Sequence, residues 1–149
     1  MNKAIIIKLF LIITCLQLLS CNNSNIDNAI IKGNWQLNYV DNKQRNYQEI
    51  YIDSATTYYY DYYLGLRPVG KYYVVGNKFY ELILGREFKF IGKINVENDI
   101  LYVEDNNFEV SFKKIDGFNN LENLIKGKIE KDKYWASYIK RYESWKNKP

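Results

Sequence analysis

The sequence predicts a mainly β domain, an eight-stranded antiparallel barrel in up-and-down order followed by a C-terminal helical segment. Three observations carry this prediction. Between residues 31 and 115, short runs rich in Val, Ile, Tyr and Phe are broken by Gly, Asn and Asp, the pattern of strands and turns. Most of the breaks are tight, so successive strands read as neighbours in a meander, and eight strands suffice to close a barrel and remove its edges. After Asp116-Gly117 the apolar period changes to that of a helix.

Residues 1–20 read as an export signal. Met1-Asn2-Lys3 and Lys8 give a basic start, and 4–19 is an almost unbroken run dominated by Ile and Leu, shorter than the ~20 residues of a spanning helix. Leu18-Leu19-Ser20-Cys21 then resembles the lipobox of bacterial lipoproteins. The resemblance implies that Cys21 is acylated through its sulfur, opens the mature chain and holds it to a membrane by acyl chains. Cys15 is a poorer candidate, since Thr14 before it is larger than the usual small residue. A plain secretory signal cut near Ser20 and a retained membrane helix over 4–19 are the competing readings; the second is too short. Residues 21–30 are expected as the acylated cysteine and a flexible, Asn-rich tether, reaching roughly 20–25 Å at ~3.3 Å per residue. The expected location is the cell envelope, on the periplasmic side of the inner or outer membrane. In Bacteroidota-type lipoproteins acidic residues just after the cysteine mark surface display, and here the first acid is Asp27, so surface exposure is not expected.

Removing 20 of the 149 residues leaves 129, enough for one domain with its own core. Of the formal charge of +4, two units come from Lys3 and Lys8, so the mature chain is only mildly basic and makes no case for nucleic acid. With no histidine and only Cys15 and Cys21 for thiols, Ser-His-Asp and Cys/His catalysis, most zinc sites and an internal disulfide are excluded. The acids fall in no recognisable catalytic spacing. The expectation is a non-enzyme without metal or cofactor.

Within the expected barrel, 31–117, the run Gly33-Asn34-Trp35-Gln36-Leu37-Asn38-Tyr39 alternates so that Trp35, Leu37 and Tyr39 share a face. A polar loop over 41–46 leads to strands over 47–52 and 56–63, turning about Asp53-Ser54. Residues 64–68 are expected as a longer break, with Pro68 holding Arg67 extended. Strands over 69–75 and 78–84 flank Gly76-Asn77, a two-residue hairpin signal. Gly85-Arg86 leads into 87–96, Asn98-Asp99 turns the chain into 100–103, and Asp105-Asn106-Asn107 leads to 108–115.

In the C-terminal helical segment, 118–149, Asn119 with Glu122 resembles a capping box. Leu121, Leu124 and Ile125, then Trp135, Tyr138 and Tyr142, recur at helical spacing, and Gly127 and Asp132 split the segment into two helices. The aromatic stripe is expected to pack on the barrel, with Lys140, Arg141, Glu143 and Lys146 on a polar outer face.

A signal, a tether, Gly33-Asn34-Trp35 opening the first strand, eight short strands and a C-terminal helix together resemble the small lipocalin-like lipoproteins of Bacteroidota, over roughly 31–115. The resemblance implies a barrel whose closed end is plugged by the Trp35 indole. It departs from the family in having no Thr-Asp-Tyr-like step between the later strands. The arginine that lipocalins stack over the tryptophan is also missing, and the last strand offers Lys113 and Lys114.

Tyr58-Tyr59-Tyr60-Asp61-Tyr62-Tyr63 is the most unusual stretch, and strand alternation puts Tyr58, Tyr60 and Tyr62 on one side. These three, with Trp35 at the floor, Tyr73, and Arg67 in the 64–68 loop, are the expected contacts of a small, partly apolar ligand. The other expectation is a protein- or glycan-interaction module, or an inhibitor- or immunity-type protein, using outer tyrosines and the C-terminal helix around a filled core. No protein partner is readable, and a monomer is expected.

Overall fold

The computed structural model describes residues 28–40, 46–83 and 85–147. The signal segment, Cys21, the tether through Asp27 and the loop residues 41–45 lie outside these. The eight strands are β1 (Gly33–Val40), β2 (Gln48–Ile52), β3 (Thr56–Asp61), β4 (Gly65–Val75), β5 (Lys78–Ile83), β6 (Glu87–Glu97), β7 (Ile100–Asp105) and β8 (Phe108–Lys114). Each pairs antiparallel with the next, and β8 returns to β1, closing the barrel. Tight turns make this order possible. Asn98 and Asp99 both take positive φ (51° and 60°), the backbone of a hairpin turn that follows the strand twist.

The residues expected as a break after the third strand are instead paired. Only 62–64 form the turn, and β4 begins at Gly65. Thr57 lies opposite Gly70 and Tyr58 opposite Pro68, which leaves Val69 as an extra residue. Such a bulge lets a proline, lacking an N–H, sit inside a sheet. Arg67, opposite Tyr59, is therefore a strand residue and not a loop residue. A second register shift pairs Phe79 with Gly92 and Tyr80 with Phe90, making Ile91 the extra residue. A Cβ on Gly92 would lie 2.8 Å from the Glu104 carbonyl oxygen and 2.9 Å from Val103 Cγ1, so only glycine lets β6 approach β7 this closely.

One end of the barrel is sealed. The last residues expected as tether are helical: α1 (Asn28–Ile31) leads into β1 through Gly33, whose φ of 137° is a conformation side chains rarely allow. Ile31 and Trp35 are completely buried, and the indole Nε1 donates to the Ile31 carbonyl at 2.8 Å. Lys114 Nζ sits 5.9 Å from the centre of the Trp35 ring, a cation over an aromatic face. Beside it, Asn34 Oδ1 accepts the Glu122 backbone N–H at 2.8 Å and Asn34 Nδ2 donates to Glu122 Oε2 at 3.3 Å. This reciprocal pair pins α2 (Leu121–Ile125) to β1. The helix cap is Asn120, not Asn119; its side chain accepts the Asn123 N–H at 3.0 Å. At the other end of α2, Lys128 N–H donates to Asn123 O at 2.8 Å and Gly127 N–H to Leu124 O at 3.1 Å, satisfying its last carbonyls.

The third helix, α3 (Lys131–Lys146), covers the outer face of β2 and β3. Tyr134 and Tyr138 are fully buried there, with Tyr60 edge-on to them at 4.8 Å and 5.0 Å. Arg141, expected among the outer charges, turns inward instead. Its Nε and Nη2 donate to Glu49 at 2.7 Å and 3.0 Å, and the hydroxyls of Tyr47 and Tyr134 donate to the same carboxylate at 2.8 Å and 2.9 Å. Glu49 is 0% exposed, so a buried charge is met by four donors and its long-range partners lock helix to sheet.

Candidate functional site

Alternation along the strands sends every second residue into the barrel. Ile50, Thr57, Phe79, Ile94, Leu101 and Phe112, each from a different strand, line a cavity of about 360 Å³, a volume typical of small-molecule sites. Ile31 faces it from the sealed end. Gln48, Tyr59, Phe90, Asp105 and Phe108 line it at the other, where β1 meets β2 and β7 meets β8. Exposure rises along that axis, from 0% at Ile31 to 41% at Phe90, which puts the mouth among these last residues. The lining is dominated by aliphatic and aromatic side chains, with Gln48 and Asp105 as polar groups at the rim.

Among the described residues, the wall holds a polar cluster around Glu81. Glu81 of β5 is buried inside the barrel and accepts hydrogen bonds from the hydroxyls of Thr57 and Tyr59. Burial pushes the Glu81 carboxyl above its ordinary range, against the lowering by these two bonds; burial, then the nearby Glu81 charge, raises the Tyr59 phenol. A raised folded-state value means that folding favours the protonated carboxyl. The stability Glu81 contributes is thus greatest in acid and is lost as pH rises through and above the usual glutamate range. Glu81→Gln is expected to flatten that part of the pH profile and to leave the barrel at least as stable at neutral pH. Urea midpoints of both proteins at about pH 4 and 7 check this; an unchanged slope refutes it.

The structure corrects most of the expected lining. Tyr58, Tyr60 and Tyr62 face outward: Tyr58 stacks on Tyr51 at 5.8 Å, Tyr60 lies under α3, and Tyr62 packs on Trp135 at 5.4 Å. The inward set is Thr57 and Tyr59. The physical reason is that β3 is covered on both faces, and the aromatic stripe of α3 needs aromatic partners outside. Tyr73 is also outside, stacked on Tyr80 at 4.8 Å and edge-on to Phe88. Arg67 pairs with Asp61 at 2.7 Å, and Asp61 also accepts the N–H groups of Tyr63 and Leu64, so the pair braces the β3–β4 turn. Trp35 is at the sealed end, but Ile31, not the indole, faces the cavity.

Sequence reasoning missed Ile50, Phe90, Ile94 and Asp105 as lining, and Glu49, Tyr134 and Arg141 as the helix clamp. For β2 the signal was present: in Gln48-Glu49-Ile50-Tyr51-Ile52 the alternate residues Ile50 and Ile52 are aliphatic and point inward. Among the described residues no group of His, Cys, Asp and Glu has an arrangement that could hold a metal ion. No protein-family model matches the chain, and neither curated proteins nor solved structures give a significant match.

Proposed function

We propose that this protein is a lipid-anchored cell-envelope lipoprotein that binds a small, largely apolar ligand in its barrel, without catalysis. The observation that carries the reading is the cavity of about 360 Å³, lined mainly by apolar side chains and ending at a partly exposed mouth. Burying an apolar molecule there removes its surface from water at roughly 25 cal/mol per Å², and the closed strand ladder keeps the container open when empty. Of the outer tyrosines invoked by the interaction-module alternative, Tyr60 is buried under α3 and Tyr62 packs on Trp135, whereas Tyr39, Tyr63 and Tyr73 keep exposed rings.

Nile red, an uncharged dye that brightens in apolar surroundings, tests the container. Saturable one-to-one binding is expected. Ile94→Trp or Leu101→Phe, each filling the cavity, is expected to weaken binding about tenfold or more, or roughly 1.4 kcal/mol, while the folded circular dichroism spectrum is kept. Absence of saturable binding, or indifference to both substitutions, sinks the reading.

The anchor rests on Leu18-Leu19-Ser20-Cys21 and its resemblance to a lipobox. Acyl chains contribute ~0.8 kcal/mol per buried methylene, so two or three chains outweigh weak surface contacts. Cys21→Ala is expected to move the protein from the membrane to the soluble fraction and to abolish incorporation of labelled palmitate. Retention of both membrane association and label refutes the anchor.

A further inference from the structure

This inference rests on the anchor reading above, which holds the barrel within reach of a bilayer. We propose that the outer face of β4, β5 and β6 docks on a membrane surface carrying anionic headgroups. Four rings run across that face. Tyr73 stacks on Tyr80 at 4.8 Å and meets Phe88 edge-on at 4.8 Å, and Phe90 lies 5.6 Å from Tyr80. The helices lie against β1, β2 and β3, where α3 buries Tyr60. On β4 to β6, by contrast, Tyr73, Phe88 and Phe90 stay 39%, 43% and 41% exposed. Partly wet aromatic rings settle at the headgroup level of a bilayer.

The charges on this face complement such a surface. Strand alternation turns Lys71, Lys78 and Lys93 outward beside the rings. Among the described residues, none of the three forms an ion pair, and no acid takes an outward position on these strands between Lys71 and Lys93. Lys78 and Lys93 stand directly opposite each other in the β5–β6 ladder, a like-charge pair that destabilises the sheet until an anion lies between them. The two lysines share a groove of about 470 Å³ with Tyr80 and Phe90. The acids at its border, Glu104 and Asp105, belong to β7, the side away from Lys71 and Lys78. Phe90 also borders the cavity mouth, so docking by this face keeps the mouth near a source of apolar molecules.

The chain from residue 22 onward holds every element of the fold and lacks both the signal and the anchor. Its co-sedimentation with vesicles of phosphatidylglycerol mixed with phosphatidylcholine, and of phosphatidylcholine alone, tests the docking. The mixed vesicles are expected to bind it about tenfold more tightly or better. Lys78→Gln with Lys93→Gln is expected to remove most of that preference, and Phe88→Ser to weaken binding to the mixed vesicles, with the folded circular dichroism spectrum kept in each. Lys131→Gln with Lys133→Gln, exposed on α3, removes the same charge from another face and is expected to leave binding nearly unchanged. Equal losses from the two lysine pairs, or no binding to the mixed vesicles, overturns the docking. A dimer that Phe88→Ser dissociates, without vesicle binding, overturns it too and gives the face to a second copy. Palmitate incorporation at Cys21 reads the anchor separately, so failure to dock with the label retained refutes the docking alone.

Discussion

Replacing Arg141 with methionine is expected to destabilise the domain by about 3–5 kcal/mol, the range for removing one partner of a buried ion pair. The magnitude follows from what is left behind. Glu49 is 0% exposed, and its carboxylate would keep only the Tyr47 and Tyr134 hydroxyls after losing bonds at 2.7 Å and 3.0 Å. Methionine retains the volume and the apolar stem, so packing loss contributes little. The test is a double-mutant cycle. Glu49→Leu alone orphans the buried Tyr134 phenol, leaves Tyr47 only its 3.2 Å bond to Gln36, strands the Arg141 charge and is also costly, whereas the double variant removes the charge problem. The two single losses are therefore expected to exceed the double loss by more than about 2 kcal/mol in urea unfolding. Additive losses would mean that the pair is not coupled, and that α3 is held by its aromatic contacts alone.

The same clamp marks where the sequence was opaque. Strand existence and order were readable because Gly76-Asn77 and Asn98-Asp99 are local signals, and the eight-stranded closure follows from counting runs between such turns. Facing was readable only where one side is wet. Trp35 and Leu37 alternate with Gln36 and Asn38, and both apolar residues are buried. In Tyr58-Tyr59-Tyr60 both sides of β3 are covered, one by the barrel interior and one by α3, so tyrosine suits either face and parity carries no information. The inward residues that would have settled it, Thr57 and Asp61, are polar and look like solvent residues until Glu81 and Arg67 are brought to them from β5 and β4. Arg141 was misread for the same reason: a charge in a helix is normally solvated, and its partner is 92 positions away in sequence. Pro68 was read as a break because the bulge that accommodates it depends on register between two strands.

Trp35→Ala is expected to cost about 3–5 kcal/mol, the range for truncating a large buried aromatic, because the indole closes the barrel. It is 0% exposed, fixed by its bond to the Ile31 carbonyl, and covered by Lys114. Trp35→Phe separates the contributions. Phenylalanine keeps much of the apolar surface but cannot donate, so the buried Ile31 carbonyl loses its 2.8 Å partner and the variant is expected to lose about 1–3 kcal/mol. Guanidinium unfolding of the two variants, with equal m-values as the control for a two-state comparison, gives the order alanine worse than phenylalanine. A loss below about 1 kcal/mol for alanine would mean that water or α1 seals the end as well as the indole does. Equal losses for the two would assign the seal to the hydrogen bond. The expected order assigns it to the ring, and with it the reason a cavity of about 360 Å³ can end at Ile31 without opening through the barrel floor.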